Sequence, residues 1–238
     1  MITIPVVRTY SLEGAGVGIR HVSVVHDDEL IGGTKEAALA AILPLLDGDE
    51  FVYAGPRQGY AQIALAAACR TLGKRGTLFV AGSLVRHART LLAVSLGAKL
   101  VEVQPGYLSV VQSRARAYCR ETGAVLLPFG LDCEGVLCAI RDRALATGLS
   151  PKEVWSVAGS GTLQRGLQRA WPDAVFYAVQ VGKPPRAGRA TVVVAPERYE
   201  QGAKIRPPFP SCDNYDAKVW SFIMESASDG AVFWNVAA

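Results

Sequence analysis

Apolar positions along this chain switch repeatedly between two spacings. Over 35–46 (KEAALAAILPLL) they recur at helical intervals, whereas EFVYAG at 50–55 is a nearly unbroken apolar run suited to a strand covered on both faces. The alternation then repeats. A helix is predicted over 58–73, a strand over 76–82, a helix over 84–97, the strand KLVEV at 99–103, a helix over 107–123 and a strand over 124–130. Gly73, Gly97 and Gly123 stand where each helix ends, the position that favours a left-handed backbone.

The second half keeps the rhythm. Helix 133–148 leads to strand 153–159, helix 162–171 to strand 174–182, and another strand follows at 189–196. KIRPPFPSCDNY then puts three prolines in four positions, which forbids regular structure, before a helix over 215–230 and a last strand over 231–237. Helix and strand alternating in this way predict an α/β fold of parallel sheets flanked by helices.

Composition narrows the class without naming it. Of 238 residues, half are hydrophobic and 19% are charged, which is the balance of a globular chain with a substantial core. No apolar run is long enough to span a bilayer, so no membrane is expected. The opening MITIPVVRTYSLEG lacks the pattern of a secretory signal, and the five cysteines are scattered and odd in number, so reduced thiols and a cytoplasmic location are expected. Neither the cysteines nor His21, His26 and His87 have metal-ligand spacing, and no metal is expected. A net charge of +4 permits an anionic partner but does not require one.

Three strand-to-helix junctions carry the chemistry. In VWSVAGSGTLQRGL a strand turns through Gly159, Ser160, Gly161 and Thr162 straight into a helix. Two glycines, two hydroxyls and a helix N-terminus make a phosphate-binding pattern, although it is neither a P-loop nor a dinucleotide fingerprint. In YAGPRQGYAQIALA the strand opens through Arg57, Gln58, Gly59 and Tyr60, where a guanidinium and directional polar groups suit a carboxylate or phosphate. In GGTK, Thr34 and Lys35 follow an extended stretch and start a helix. Asp27, Asp28 and Glu29 precede that helix and read as capping or solvated groups.

In order and spacing these loops resemble the fold type II pyridoxal-phosphate enzymes, the superfamily of tryptophan synthase β and aminocyclopropane-carboxylate deaminase. GGTK is similar to the GGNK of the deaminase and D-cysteine desulfhydrase group, so the resemblance implies Lys35 as the Schiff-base lysine. It likewise implies Gly159–Thr162 as the loop for the cofactor's phosphate, residues 57–60 with Thr34 as the substrate site, and Asn235, on the last strand, as partner of the pyridine nitrogen. Trp234 beside it reads as core or pocket wall. The loop departs from the family pattern, with Pro56, Arg57, Gln58 and Gly59 where Ser or Thr, Gly and Asn are usual.

The architecture implied has two lobes, each a mainly parallel twisted sheet flanked by helices. Residues 1–55 and 131–238 would form the large cofactor-binding lobe and 56–130 the small one, in a homodimer. The expected activity is pyridoxal-phosphate chemistry at the α-carbon of an amino-acid-derived substrate. The sharpest expectation is decarboxylation of an amino acid attached to thymine, as in the hypermodified DNA of bacteriophages. The alternative is a lyase or deaminase that eliminates from a free amino acid. A more distant alternative, from another class, is a non-catalytic nucleotide- or nucleic-acid-binding module.

Overall fold

A computed structural model of the chain describes residues 4–14, 17–104 and 106–238. Its strands and helices in chain order are β1 (Val6–Gly14), β2 (Val17–His26), α1 (Gly33–Ile42), β3 (Glu50–Ala54), α2 (Ala61–Leu72), β4 (Arg75–Ala81), α3 (Ala88–Ser95), β5 (Lys99–Val103), α4 (Leu108–Thr122) and β6 (Val125–Leu126). There follow α5 (Glu134–Leu145), β7 (Glu153–Ala158), α6 (Thr162–Ala170), β8 (Val175–Gln180), β9 (Thr191–Val194), α7 (Trp220–Ser226) and β10 (Ala231–Asn235). No helix among the described residues is long and apolar enough to cross a membrane.

The chain divides into two compact units, Met1–Leu30 with Leu137–Ala238, and Ile31–Val136. The first unit holds a sheet in the order β1-β2-β10-β7-β8-β9, parallel from β2 to β9, with β1 antiparallel to β2 at one edge. Its central strands read as mostly apolar runs because both faces are covered: all five residues of β10 are buried, as are Val154–Ala158 of β7. The second unit holds a fully parallel sheet in the order β5-β4-β3-β6.

The boundaries fall at 30/31 and 136/137 rather than at 55/56 and 130/131. Strand pairing decides this: β3 lies between β4 and β6, and α1 packs on α2, so residues 31–55 belong with the unit that follows them. The approach of α1 to α2 is close enough to require glycine. A Cβ on Gly32 would lie 2.5 Å from the Cα of Ala64, and α2 presents buried alanines there instead of large side chains.

Other departures have local causes. The antiparallel β1–β2 hairpin is absent from the sequence reading, which sees only an extended stretch near His21–Val25. The helix over 35–46 stops at Ile42 and continues as a 3₁₀ turn containing Pro44, which has no amide to extend the ladder. The helix over 84–97 starts only at Ala88, with the ring of His87 accepting from the Arg89 amide as its cap. The strand over 124–130 shrinks to two residues ahead of Pro128, and the helix over 215–230 divides into a 3₁₀ turn, Asp216–Val219, and α7.

Candidate functional site

In the unit Ile31–Val136, Lys35 occupies the first turn of α1. That turn is closed by Glu36, whose Oε2 accepts from the Gly32 amide at 2.7 Å, and Thr34 is buried beside it. The Lys35 amine makes no hydrogen bond or ion pair among the described residues. Burial lowers its pKa from the ordinary lysine range to about 8, so far more of it is neutral near physiological pH than of an exposed lysine. A desolvated lysine with no counter-charge is a nucleophile in waiting, not a structural cation.

The loop after β3 is tightly made. The Gly55 amide donates to Phe79 O at 3.2 Å, and the Gly59 amide to Pro56 O at 3.0 Å. Its carbonyls are taken up from behind. Gln62 Nε2 donates to Arg57 O at 2.6 Å and to Gly59 O at 3.0 Å, Thr90 Oγ1 to Arg57 O at 3.3 Å, and Arg89 Nη1 to Gln58 O at 2.5 Å. Gln62 and Thr90 are buried and bonded to each other at 2.9 Å, so the loop rests on a polar pair that water does not reach. The side chains of Arg57, Gln58 and Tyr60 are partly exposed.

In the other unit, β7 ends at Ala158 and the chain turns through Gly159–Thr162 into α6, whose first-turn amides have no acceptor within the helix. Ser160 Oγ and Thr162 Oγ1 lie 3.1 Å apart. Gly161 has φ +89°, and a Cβ there would overlap the carbonyl of Arg186, whose amide donates to Ser160 O at 3.0 Å. We expect Gly161→Ala to lower stability by about 2–4 kcal/mol, from backbone strain plus collision, and to shift the thermal midpoint down accordingly. An unchanged midpoint would show that the loop yields easily.

Gly159 is bounded as closely: a Cβ on it would lie 2.7 Å from the Tyr215 hydroxyl. The next residue, Asp216, escaped the sequence reading. It is fully buried, its Oδ1 accepts from the Val236 amide at 3.0 Å, and its Oδ2 is buried without a partner among the described residues. Burial above all, with the nearby charge of Asp28, pushes this carboxyl up to about 8 against the opposing amides of Val236 and Ala237. A buried oxygen left without a donor is costly and rare, and such atoms concentrate where a ligand completes the set. The sequence offers little signal for it, since Asp216 is one of three carboxylates in the segment 215–230.

Asn235 is placed differently from its expected role. Its Oδ1 accepts from Ser211 Oγ at 2.8 Å and its Nδ2 donates to Pro210 O at 2.8 Å, so the buried amide pins the Pro-rich connection. Trp234 is core, its Nε1 donating to Asp27 Oδ2 at 3.0 Å, while Asp27 Oδ1 holds Arg143 at 2.7–2.8 Å. Asp27 is therefore a buried anchor, neither a cap nor solvated. Asp28 is paired with the buried His26 at 2.9 Å.

No family model matches the sequence, and no curated protein does. Solved structures do. An ACC deaminase homologue superposes with a TM-score of 0.80 at 16% identity, covering 99% of this chain and 89% of that one. O-acetyl serine sulfhydrylase isoform 3 from Entamoeba histolytica gives 0.72 at 12% identity, over 99% of this chain and 87% of that one. Diaminopropionate ammonia lyase of Escherichia coli in apo form gives 0.68 at 13% identity, over 92% and 78%. Parallel sheets flanked by helices, and these neighbours, give the chain the fold of the fold type II pyridoxal-phosphate enzymes.

Proposed function

We propose that this protein is a pyridoxal-5'-phosphate-dependent lyase acting at the α-carbon of an amino-acid substrate. The observation that carries the reading is the Lys35 amine, desolvated, without a partner and lowered to about 8. The residues present suit the cofactor: an amine for its aldehyde, a glycine-bounded hydroxyl loop at Gly159–Thr162 for its phosphate, and in Asp216 a carboxyl with one unpartnered oxygen for its ring nitrogen. When bound, pyridoxal phosphate supplies the electron sink that stabilises negative charge at the α-carbon. Lys35 would hold the cofactor's aldehyde and would move a proton at the substrate's α-carbon. Ser160 and Thr162 hydroxyls, with the first-turn amides of α6, would bind phosphate oxygens. Asp216 would hold the ring nitrogen through its unpartnered oxygen. Thr34, Arg57, Gln58, Gly59 and Tyr60 orient the substrate's carboxylate, which decides the bond that breaks.

Among the neighbours, the ACC deaminase homologue and diaminopropionate ammonia lyase favour elimination with release of ammonia. The test is to supply the protein with pyridoxal phosphate, record a visible absorption band, and assay D-cysteine, serine and diaminopropionate for pyruvate and ammonia. A protein that stays colourless under those conditions overturns the reading. Decarboxylation of an amino acid carried on thymine is the second reading, favoured by the arginine in the 56–60 loop and the net charge of +4. It predicts carbon dioxide from glycyl- or serinyl-thymine DNA and no ammonia from the free amino acids.

A further inference from the structure

Asp28 and Asp216 lie at the same end of the sheet in the first unit. Asp28 comes two residues after β2, and its Oδ1 is 2.9 Å from His26 Nδ1, both side chains being at most 4% exposed. His26 Nε2 lies 3.2 Å from the Tyr10 hydroxyl, so three polar groups run inward from the edge strand β1 and end on the Asp28 carboxyl. His26 is also the ladder partner of Asn235, and the next residue, Val236, is the one whose amide donates to Asp216. The Pro-rich connection lies along this end of the sheet. Phe209 meets the His26 ring edge-on at 5.2 Å, Pro210 and Ser211 are bound by Asn235, and Asp216 closes on Val236. One step of the ladder separates the His26–Asp28 pair from the residue that holds Asp216.

The charges around Asp216 are unevenly matched. Titratable groups on the elements packed about it are Tyr215 and Lys218 on its own turn, Cys212 on the connection, Glu153 at the far end of β7, and His26, Asp27 and Asp28 at the end of β2. Lys218 Nζ is engaged by Arg198 O at 2.8 Å, Asp27 is answered by Arg143, and Glu153 is bonded to Trp155 and Ser228. Asp28 is the group whose charge raises the Asp216 carboxyl, adding to burial. Two carboxyls in one dry region do not both ionise without a large penalty. Asp28 has the His26 ring to steady its charge, whereas Asp216 Oδ2 has no partner among the described residues.

We propose that Asp28, held by His26 and Tyr10, is a positioning residue for Asp216, its charge keeping a proton on the buried carboxyl so that Oδ2 offers a donor to the ligand that reaches it. This role rests on the lyase reading only for the identity of that ligand, the cofactor's ring nitrogen. The bond from Tyr10 to the far side of the imidazole fixes which ring nitrogen faces Asp28.

Thermal midpoints of the cofactor-free protein from pH 4 to pH 9 test it in the wild type, Asp216→Asn, Asp28→Asn and the double variant. In the wild-type background the advantage of Asp216→Asn should grow with pH and level off at about 8. On top of Asp28→Asn the same advantage should be smaller and should level off about one pH unit lower or more, because the neighbouring negative charge is gone. Loss of packing alone would lower the midpoints of Asp28→Asn at every pH and leave that profile in place, so an unmoved plateau overturns the role. Infrared difference spectra of wild type against Asp216→Asn do not depend on Asp28→Asn folding. They should show the carbonyl stretch of a protonated carboxyl at pH 6, fading as pH passes about 8, and its absence at pH 6 overturns the proposal. Uptake of pyridoxal phosphate separates this result from the lyase reading. A moved plateau in a protein that stays colourless upholds the coupling of Asp28 to Asp216 and overturns the reading, whereas an unmoved plateau in a protein that colours through Lys35 does the reverse.

Discussion

Lys35→Ala should reduce turnover by about 10³-fold or more and remove the visible band that pyridoxal phosphate gives the wild type. The chemistry leaves little to replace it, since one amine both holds the aldehyde and moves the α-proton. The variant should nevertheless fold, because the amine has no partner to lose. It should even gain stability, with a pH dependence whose sign is set by the direction of the shift. Burial lowers the lysine from its ordinary value to about 8, so the folded protein binds fewer protons than the unfolded chain between about 8 and about 10.4. The wild type is therefore penalised fully below about pH 8 and recovers as pH rises through that window. Thermal midpoints of Lys35→Ala should exceed those of the wild type near pH 7, and the gap should close toward pH 10. Lys35→Arg keeps the cation and loses the nucleophile, so it should be inactive with no gain in stability. An alanine variant that still turns over substrate would remove Lys35 from the mechanism.

What the sequence made legible was governed by local patterns. The mostly apolar runs at Glu50–Ala54, Glu153–Ala158 and Ala231–Asn235 are strands because both faces are buried, and the glycines at 73, 97 and 123 all end helices with positive φ. Glycine-bounded turns were equally visible, because Gly161 and Gly32 answer to backbone collisions that only glycine avoids. Pairing was less visible. Residues 31–55 join the second unit through the ladder between β3 and β4 and the contact of α1 with α2, neither of which is written in the segment's own pattern. The β1–β2 hairpin hid for a similar reason: β1 is an edge strand of mixed exposure, without the continuous apolar signature of the central strands. Asp216 stayed hidden because a carboxylate in sequence reads as surface, whereas its burial and its unpartnered oxygen arise only from packing of the 3₁₀ turn against β7 and the end of β10. Asn235 stood out as a polar residue on an apolar strand, yet its amide is bound to Ser211 and Pro210.

Asp216→Asn should lower turnover by about 10²-fold while the protein still takes up pyridoxal phosphate and still shows a visible band. The two outcomes separate because Lys35 and the Gly159–Thr162 loop remain, whereas an amide cannot hold the proton that keeps the ring nitrogen charged. Stability of the cofactor-free protein gives an independent readout. The folded value of about 8 lies above the ordinary carboxylate value near 3.9, so the folded protein retains a proton over that window and the unfolded chain does not. The stability linked to this group is complete below about pH 4 and is lost as pH rises to about 8, where the buried carboxylate ionises without a counter-charge. Asparagine has nearly the same shape and no such titration, so the variant should gain on the wild type from pH 5 to pH 9 in a series of thermal midpoints. Asp216→Ala separates charge from shape. It leaves the Val236 amide without its acceptor and opens a small cavity, at a cost of about 1–3 kcal/mol at every pH. A flat difference between wild type and Asp216→Asn across that range would mean that the carboxyl is ionised and matched in solution, and its assignment to the ring nitrogen would lose its physical basis.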